Sequence, residues 1–517
     1  MHGKRIAQNI LSNWVALAIS TLVGFSLAPF IVHYLGNIAY GVWVLVVSLS
    51  SYMSLLDLGM RGAVTRFVSK GKAQGNHEEA GDAVSGALWI RLWISLAVLL
   101  ASAGFALVFN RIFGIPGPMQ HEARMAILAT ALAVGVNLWC GVFAGVLAAL
   151  HRYDLLSAVS LVQTGLRAVG VVWLLRHGHG ILALALWDLA TALVANGLYV
   201  LLAFRIYPRL RITFRRPERQ VLRKLWNYSF YAFLINVAVQ VAYCSDNLVV
   251  GAFTSATAVT FYAIGGTLIA YARQIVSSVT TTFGPMASTF EAQGSHRDLR
   301  WLLIQGTRGT LIVSLPIELA LFLRGETFIG LWMGPQYAHP SGTVLRILLL
   351  SLIACSGSAA SGGIVYGMEK HRPVAVWAIL EGLANLGLSI FLVRRIGISG
   401  VAWGTTIPSL FVEFVLWPPY VCRLVEISLP EYLWQTWIRT FLAAIPFSVG
   451  CYLAERYWPA RNLMVFFLQI AVLLPLFPLT LALVYRAELV EQIRARFPGF
   501  TRLKLNHEYE SSTTRAQ

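Results

Sequence analysis

Ten ionisable residues sit inside stretches that are otherwise apolar. Arg91, Arg167, Arg273 and Arg308 bring positive charge, and Asp57, Asp188, Asp246, Glu318, Glu381 and Glu413 bring negative charge. A charge at the centre of a membrane helix costs about 2.5–3.5 kcal/mol on insertion scales, so each of these groups needs a wet or a paired position. Two kinds of chemistry follow. Guanidinium groups in a low-dielectric chamber hold phosphate-like anions through charge-assisted, bidentate hydrogen bonds. A desolvated carboxylate gains proton affinity and can take up H+ or Na+ during transport.

Depth separates the candidates. Arg167 lies about twelve residues from the cytoplasmic end of its apolar run, too deep for easy snorkelling, and is the first candidate for anion binding. Its alternative is a buried ion pair with a carboxylate such as Asp188. Arg273, followed by Ser277, Ser278 and Thr280 to Thr282, reads as a second cavity-lining cation. Arg91 and Arg308 complete the substrate-binding set, although both lie near enough to the inner boundary for snorkelling to account for them. Asp246, Glu318, Glu381, Glu413 and Asp188 are the ion-coupling candidates, each with pairing to a nearby arginine as its alternative. Asp57 and Arg61 are four positions apart, which puts them on one helix face as a local ion pair. Trp43, Tyr52, Tyr243 and Tyr271 are candidates for stacking on sugar rings.

These charges must be held by membrane helices. Of the 517 residues, 57% are hydrophobic and 12% charged, a composition that excludes an ordinary water-soluble globule. About fourteen runs of some 20 apolar residues, from 10–33 to 462–485, are each long enough to cross the hydrocarbon core as helix. The fold class expected is all-α: a polytopic membrane protein with about fourteen spans. The first run is too long for the apolar part of a cleaved signal peptide and reads as span 1.

The net charge of +17 is mostly a matter of orientation. Arg205, Arg209, Arg211, Arg215, Arg216, Arg219, Arg223 and Lys224 crowd one connecting loop against a single acid, Glu218. With that loop cytoplasmic, Lys70, Lys72, Arg152, Lys370, Arg372, Arg423 and the basic tail fall inside as well, so both termini are expected to be cytoplasmic. Arg394, Arg395, Arg456 and Arg461 depart from the rule. Nucleic acid is not an expected partner; anionic lipid heads are. Cys140, Cys244, Cys355, Cys422 and Cys451 show no paired spacing, so neither a disulfide framework nor a metal site is expected. No GxxxxGK[ST] loop is present, and no catalytic residue or cofactor is expected.

The chain also repeats itself at an offset of 219 residues. Ala73-Gln74-Gly75-Asn76-His77 returns as Ala292-Gln293-Gly294-Ser295-His296, Arg176-His177-Gly178 as Arg395-Ile396-Gly397, and Tyr52 as Tyr271. The division that follows is a six-helix bundle over 1–204, a basic linker over 205–226, a second bundle over 227–423, two added spans over 424–485 and a cytoplasmic tail over 486–517. Six is even, so the two bundles should run parallel, related by an axis along the membrane normal around a central cavity. The intramembrane charges have no ionisable counterparts at the offset, which gives the halves different work. Ser356 to Gly363, the prolines within the spans, and Gly141 with Gly145 permit close packing and bending.

With Asn13, Pro29, Leu35-Gly36, Tyr40-Gly41, Tyr52, Leu56-Asp57-Leu58-Gly59, Arg66-Phe67, Asp246, Gly251 and Tyr262, the chain resembles the Wzx-like polysaccharide flippases of the multidrug/oligosaccharidyl-lipid/polysaccharide exporter superfamily. The resemblance implies movement of an undecaprenyl-diphosphate-linked oligosaccharide from the cytoplasmic to the periplasmic leaflet of a bacterial inner membrane. It implies alternating access around a cationic cavity, where Arg167 and Arg273 would supply the charge. The implied partners are the lipid-linked oligosaccharide, membrane lipids, a coupling H+ or Na+, and a polysaccharide polymerase with its chain-length regulator. The alternatives are the lipid II flippase and the drug/cation antiporter branches of the superfamily. A further one is a membrane glycosyltransferase or ligase with Asp57 or Asp188 as base, which the short outer loops disfavour.

Overall fold

A computed structural model describes residues 2–54, 60–213, 245–486 and 488, with side chains of the first helix from Trp14 to Met53. Asp57 and its Leu56 to Gly59 motif, the Asn13 side chain, the linker after Thr213, span 7 as far as Cys244 including Tyr243, and the tail after Glu488 lie outside the described residues. The described chain is helical and contains no strand.

Helix α1, His2–Ser54, is 53 residues long. At about 1.5 Å per residue that exceeds twice the roughly 30 Å hydrocarbon core, so it must serve as two spans. Gly36 is where it breaks, with φ 74° and ψ 169°, a backbone state that glycine reaches without a Cβ penalty. Just past the break, the Asn37 carbonyl accepts from Thr260 Oγ1 at 2.7 Å, and the Asn37 side chain accepts from Tyr337 Oη.

The residues that recur at the 219 offset build the same turn twice. Helix α2, Met60–Ala73, ends with Gly75 at φ 71°, Gly75 N–H donating to Lys72 and Asn76 N–H to Gly71. Asn76 then caps α3, His77–Ile112, by accepting from Glu79 N–H at 3.0 Å. In the later copy Gly294 has φ 66°, its N–H donates to Glu291, and Ser295 N–H donates to Phe290. Ser295 accepts from Asp298 N–H at 3.4 Å. A left-handed C′ glycine followed by an Asn or Ser cap stops one helix and starts the next, so both copies need these residue types. Likewise α5, Tyr153–Arg176, runs into Gly178 at φ 77°, and the helix Arg372–Ile396 into Gly397 at φ 63°.

The remaining helices are α4 Gln120–Ala149, α6 Ile181–Ile206, α7 Asp246–Phe253, α8 Ala256–Thr280, α9 Phe283–Ala292, α10 His296–Trp332, α11 Pro335–Gly367, α12 Arg372–Ile396, α13 Ile398–Phe411, α14 Trp417–Val425, α15 Leu429–Leu433, α16 Arg439–Tyr457, α17 Leu463–Leu473 and α18 Leu476–Val484. Among the described residues, ten helical stretches are long and apolar enough to cross a bilayer. The predicted runs 10–33 and 41–62 share the first of these, Trp14–Met53, while the runs 258–283 and 301–323 coincide with α8 and α10 and fall outside the ten.

The chain forms two compact units, one of Met1–Tyr271, Trp332–Ser351 and His371–Val412, the other of Ala272–Leu331, Leu352–Lys370 and Glu413–Gln517. In the first, Val64, Val68, Ala80, Val84, Val142, Val146 and Ala203 are buried together with Tyr207 and Leu210, the first residues after α6. That post-helical segment runs along α3: His77 Nδ1 lies 2.6 Å from Tyr207 Oη, and Thr213 N–H donates to Ser85 Oγ at 3.0 Å. Gly81 stands between them because a Cβ there would meet the Arg211 carbonyl oxygen at 2.5 Å. At the matching place in the second half, Arg300 donates from Nε to the Val425 carbonyl at 3.0 Å. The start of the linker is thus packed as part of the first unit.

In the second unit, Ala443, Ala444, Phe447, Cys451, Phe477 and Leu481 bury the added helices against Ala320 of α10. Two polar clasps reinforce that contact. Arg324, wholly buried, donates to Glu455 at 3.0 Å and to Gln469 at 2.6 Å. Arg308 pairs with Glu488 at 2.7 Å and donates to the Gln435 carbonyl at 3.2 and 3.3 Å. Arg439 pairs with the same Glu488.

Candidate functional site

In the first unit, α5 and α6 bring Arg167 and Asp188 into a two-point ion pair, Nε to Oδ1 at 2.9 Å and Nη2 to Oδ2 at 3.0 Å. The pairing named from the sequence as the alternative for Arg167 is therefore the contact observed. It does not use the whole guanidinium. The Arg167 side chain is 51% exposed, against 23% for Asp188, and Nη1 is the edge the pair leaves over. Next to it, Gly170 lets the Trp187 indole lie on α5, where Trp187 Nε1 donates to the Leu166 carbonyl at 3.0 Å.

Arg91 is 1% exposed and donates from Nη1 to the Leu138 carbonyl at 2.7 Å. Gly141 makes that possible, since a Cβ there would stand 3.2 Å from Arg91 Nη1. Its GxxxG partner Gly145 admits α2 at the Arg61 carbonyl and Val64. Arg91 thus ties α3 to α4, and the GxxxG works in packing.

Asp246, at the start of α7, anchors a buried oxygen-rich cluster. Tyr262 Oη of α8 donates to Asp246 Oδ2 at 2.5 Å, and Thr405 Oγ1 of α13 donates to the same oxygen at 2.8 Å. Asn385 of α12 lies beside them: its Oδ1 accepts from Ser389 Oγ at 3.0 Å and stands 3.4 Å from Thr405 Oγ1. Gly404 keeps the cluster open, because a Cβ would meet Ser389 Oγ at 2.2 Å. Four helices converge here, and carboxylate, amide and hydroxyl oxygens together are the donor set that a hard cation or a proton can use.

In the second unit the small-residue stretch of α11 serves two acids. Ser356 Oγ donates to Glu318 Oε1 at 2.5 Å. Ser358 Oγ donates to Glu413 Oε2, and Arg273 is half-buried on α8. Trp417 Nε1 donates to Ser361 Oγ at 2.5 Å. The serines read from the sequence as packing residues thus also solvate buried carboxylates.

Glu381 is half-buried on α12 in the first unit. Arg308, as described, clasps the added helices, and its guanidinium also lies 4.2 Å from the centre of the Tyr485 ring. Sequence reasoning missed Arg324, which falls one residue beyond the predicted span 301–323; only a longer α10 would have put it in the bilayer. It also missed Tyr262, Asn385 and Thr405 as partners of Asp246. Of the stacking candidates, Trp43 is buried, while Tyr52 and Tyr271 are half-buried. Cys140 and Cys355 are half-buried, and Cys422 and Cys451 are buried.

A profile of polysaccharide biosynthesis proteins matches residues 34–341. The membrane protein EpsK of Bacillus subtilis is 23% identical over 432 residues, covering 80% of this chain and 83% of its own. The probable flippase AglR of Haloferax volcanii is 21% identical over 393 residues, covering 74% and 77%. Among solved structures, the lipid II flippase MurJ in an inward closed conformation superposes with a TM-score of 0.68 at 14% identity, covering 93% of this chain and 100% of that one.

Proposed function

The chain belongs to the polysaccharide biosynthesis protein family, and on that footing we propose that it is a Wzx-like flippase. Its cargo in this reading is an undecaprenyl-diphosphate-linked oligosaccharide, carried from the cytoplasmic to the periplasmic leaflet of a bacterial inner membrane for surface polysaccharide assembly. A relative bearing the name of a flippase and a fold shared with a lipid II flippase support the class of activity. The observation that carries the substrate is Arg167, a deep guanidinium that Asp188 orients at one edge and that keeps half its surface accessible.

In the mechanism, Arg167 and Arg273 hold the diphosphate while the polyprenyl tail stays in lipid. A phosphate dianion needs fixed positive groups once it leaves bulk water, and planar guanidinium forks supply them with defined geometry. The bundles 1–204 and 227–423 rock as parallel halves, and the linker over 205–226 joins them on the cytoplasmic side. Cargo shifts the balance of openings only through contacts that differ between the two states. Coupling to H+ or Na+ falls to Asp246 with Asn385 and Thr405, and Glu318, Glu381 and Glu413 are the further acids available. A polymerase and a chain-length regulator would take the cargo onward.

The test is reconstitution. Purified protein in liposomes should move a fluorescent undecaprenyl-diphosphate oligosaccharide between leaflets, and the gene should restore surface polysaccharide in a flippase-deleted host. Restoration of cell-wall synthesis in a host lacking its lipid II flippase, without movement of the oligosaccharide lipid, would refute this substrate.

A further inference from the structure

Arg308 and Arg439 share one acid at the edge of the second unit. Arg308 Nη1 lies 2.7 Å from Glu488 Oε2, and Arg439 Nη1 pairs with Glu488 Oε1. Both guanidiniums also lie against the Tyr485 ring, 4.2 and 4.8 Å from its centre. Two cations against one carboxylate leave a positive charge over, and the two arginine side chains are only 9% and 21% exposed. The place is the rim of the spans: Arg439 is the first residue of α16, Val484 the last of α18, and Glu488 follows just beyond. Arg308 reaches it from within α10 by the length of its side chain.

Backbone carbonyls, not Glu488 alone, hold the two forks in place. Arg308 donates from Nε and Nη2 to the Gln435 carbonyl at 3.3 and 3.2 Å, and Tyr485 Oη donates to the same carbonyl at 3.3 Å. Arg439 donates from Nη2 to the Val484 carbonyl at 3.2 Å. Each arginine thus aims Nη1 at a shared point, and Glu488, 34% exposed, is the partner that can return to water. Planar forks fixed in this way suit phosphate oxygens as well as carboxylate ones. We propose that Arg308 and Arg439 bind the phosphate of an anionic phospholipid, and that Glu488 fills the site when the lipid is absent. The lipid is favoured over a soluble anion because the site stands where the apolar spans end, at headgroup depth, and basic pockets between membrane helices hold such headgroups. Tyr485 suits the same depth, as an amphipathic ring at the interface. The lipid then joins α10 to α16 in place of Glu488, so that the hold of the added helices depends on membrane composition.

The full chain in detergent at pH 7, with Tm followed as phosphatidylglycerol, phosphatidylcholine or inorganic phosphate is added, tests this. Phosphatidylglycerol should raise Tm and phosphatidylcholine should not. In Glu488→Gln, which lacks the competing charge, the midpoint of that rise should come at about five- to tenfold less lipid, within the usual range of coupling between ligands. Adding Arg439→Ala to Glu488→Gln should move the midpoint back up about fivefold, roughly what one arginine contributes beside anionic lipid. Arg439→Lys, the milder variant, should move it in the same direction by less. An unchanged midpoint in Glu488→Gln, or in both Arg439 variants, overturns the proposal, and so does an equal rise with phosphatidylcholine. Inorganic phosphate matching phosphatidylglycerol at equal concentration would make the occupant a soluble anion and overturn the lipid.

Discussion

Replacing Arg167 by Ala separates a binding role from a scaffold role, because the structure gives the two different sizes. The ion pair with Asp188 is half exposed on the arginine side. In the wet chamber that this reading requires, an exposed pair contributes about 0.2–1 kcal/mol, so losing this one should lower stability by about 1 kcal/mol at most. In a chain of this length that is a shift in Tm of a few degrees or less. The binding term is larger. A hydrogen bond to a charged group contributes about 1.5–3 kcal/mol, and at about 1.4 kcal/mol per tenfold one lost bond to phosphate weakens binding roughly 10- to 150-fold. The assay is surface polysaccharide in a flippase-deleted host, read beside protein level and Tm. Arg167→Ala is expected to fail at near-normal level and Tm, and Arg167→Lys, which keeps charge but loses the fork, to recover little. Asp188→Asn is expected to recover part, since it frees Arg167 without removing it. Full complementation by Arg167→Ala refutes the reasoning. A large loss of Tm, with Asp188→Asn equally inactive, would make the pair a scaffold element.

Two further outcomes concern the frame that holds the site. Burial tends to raise the Glu488 carboxyl, but hydrogen bonds and charge from Arg308 and Arg439 outweigh it and hold the group below its ordinary 4.5. A carboxylate with a lowered folded value stabilises above the unfolded value and loses that contribution as pH falls through the folded one. Glu488→Gln should therefore melt below wild type at pH 7, with the gap closing as pH drops below about 4.5; a gap independent of pH would contradict the clasp. Gly404→Ala would place a methyl 2.6 Å from the Ser389 nitrogen and 2.7 Å from its Cα. Backbone cannot step aside cheaply, so overpacking should cost about 1–3 kcal/mol and lower Tm, and a variant as stable as wild type would show that the helices part there freely.

Much was legible in the sequence because hydropathy and turn chemistry are local. Apolar runs of membrane length follow from the need to satisfy every backbone group inside lipid, and α3 to α6, α8, α10 to α14 and α16 to α18 fall where those runs predict, while the short α15 lies between two of them. Gly75 and Gly294 read as a repeat because a left-handed residue at a helix end selects glycine wherever it occurs. The intramembrane charges also stood out, since lipid penalises each one individually. Their partners did not. Which carbonyl Arg91 meets, which hydroxyl serves Glu413, and how Asp246 comes to share an oxygen with Tyr262 and Thr405 are contacts between helices remote in the chain. No periodicity encodes them, because they depend on helix rotation and crossing rather than on helix formation. Asp188 was named beside Arg167 because the two helices are consecutive; Arg324 was missed because its helix continues past the hydropathy boundary to meet Glu455 and Gln469. Composition thus fixed the solvent, the element type and the list of costly charges, and tertiary packing alone decided which of those charges pair with one another and which carbonyls and hydroxyls meet the rest.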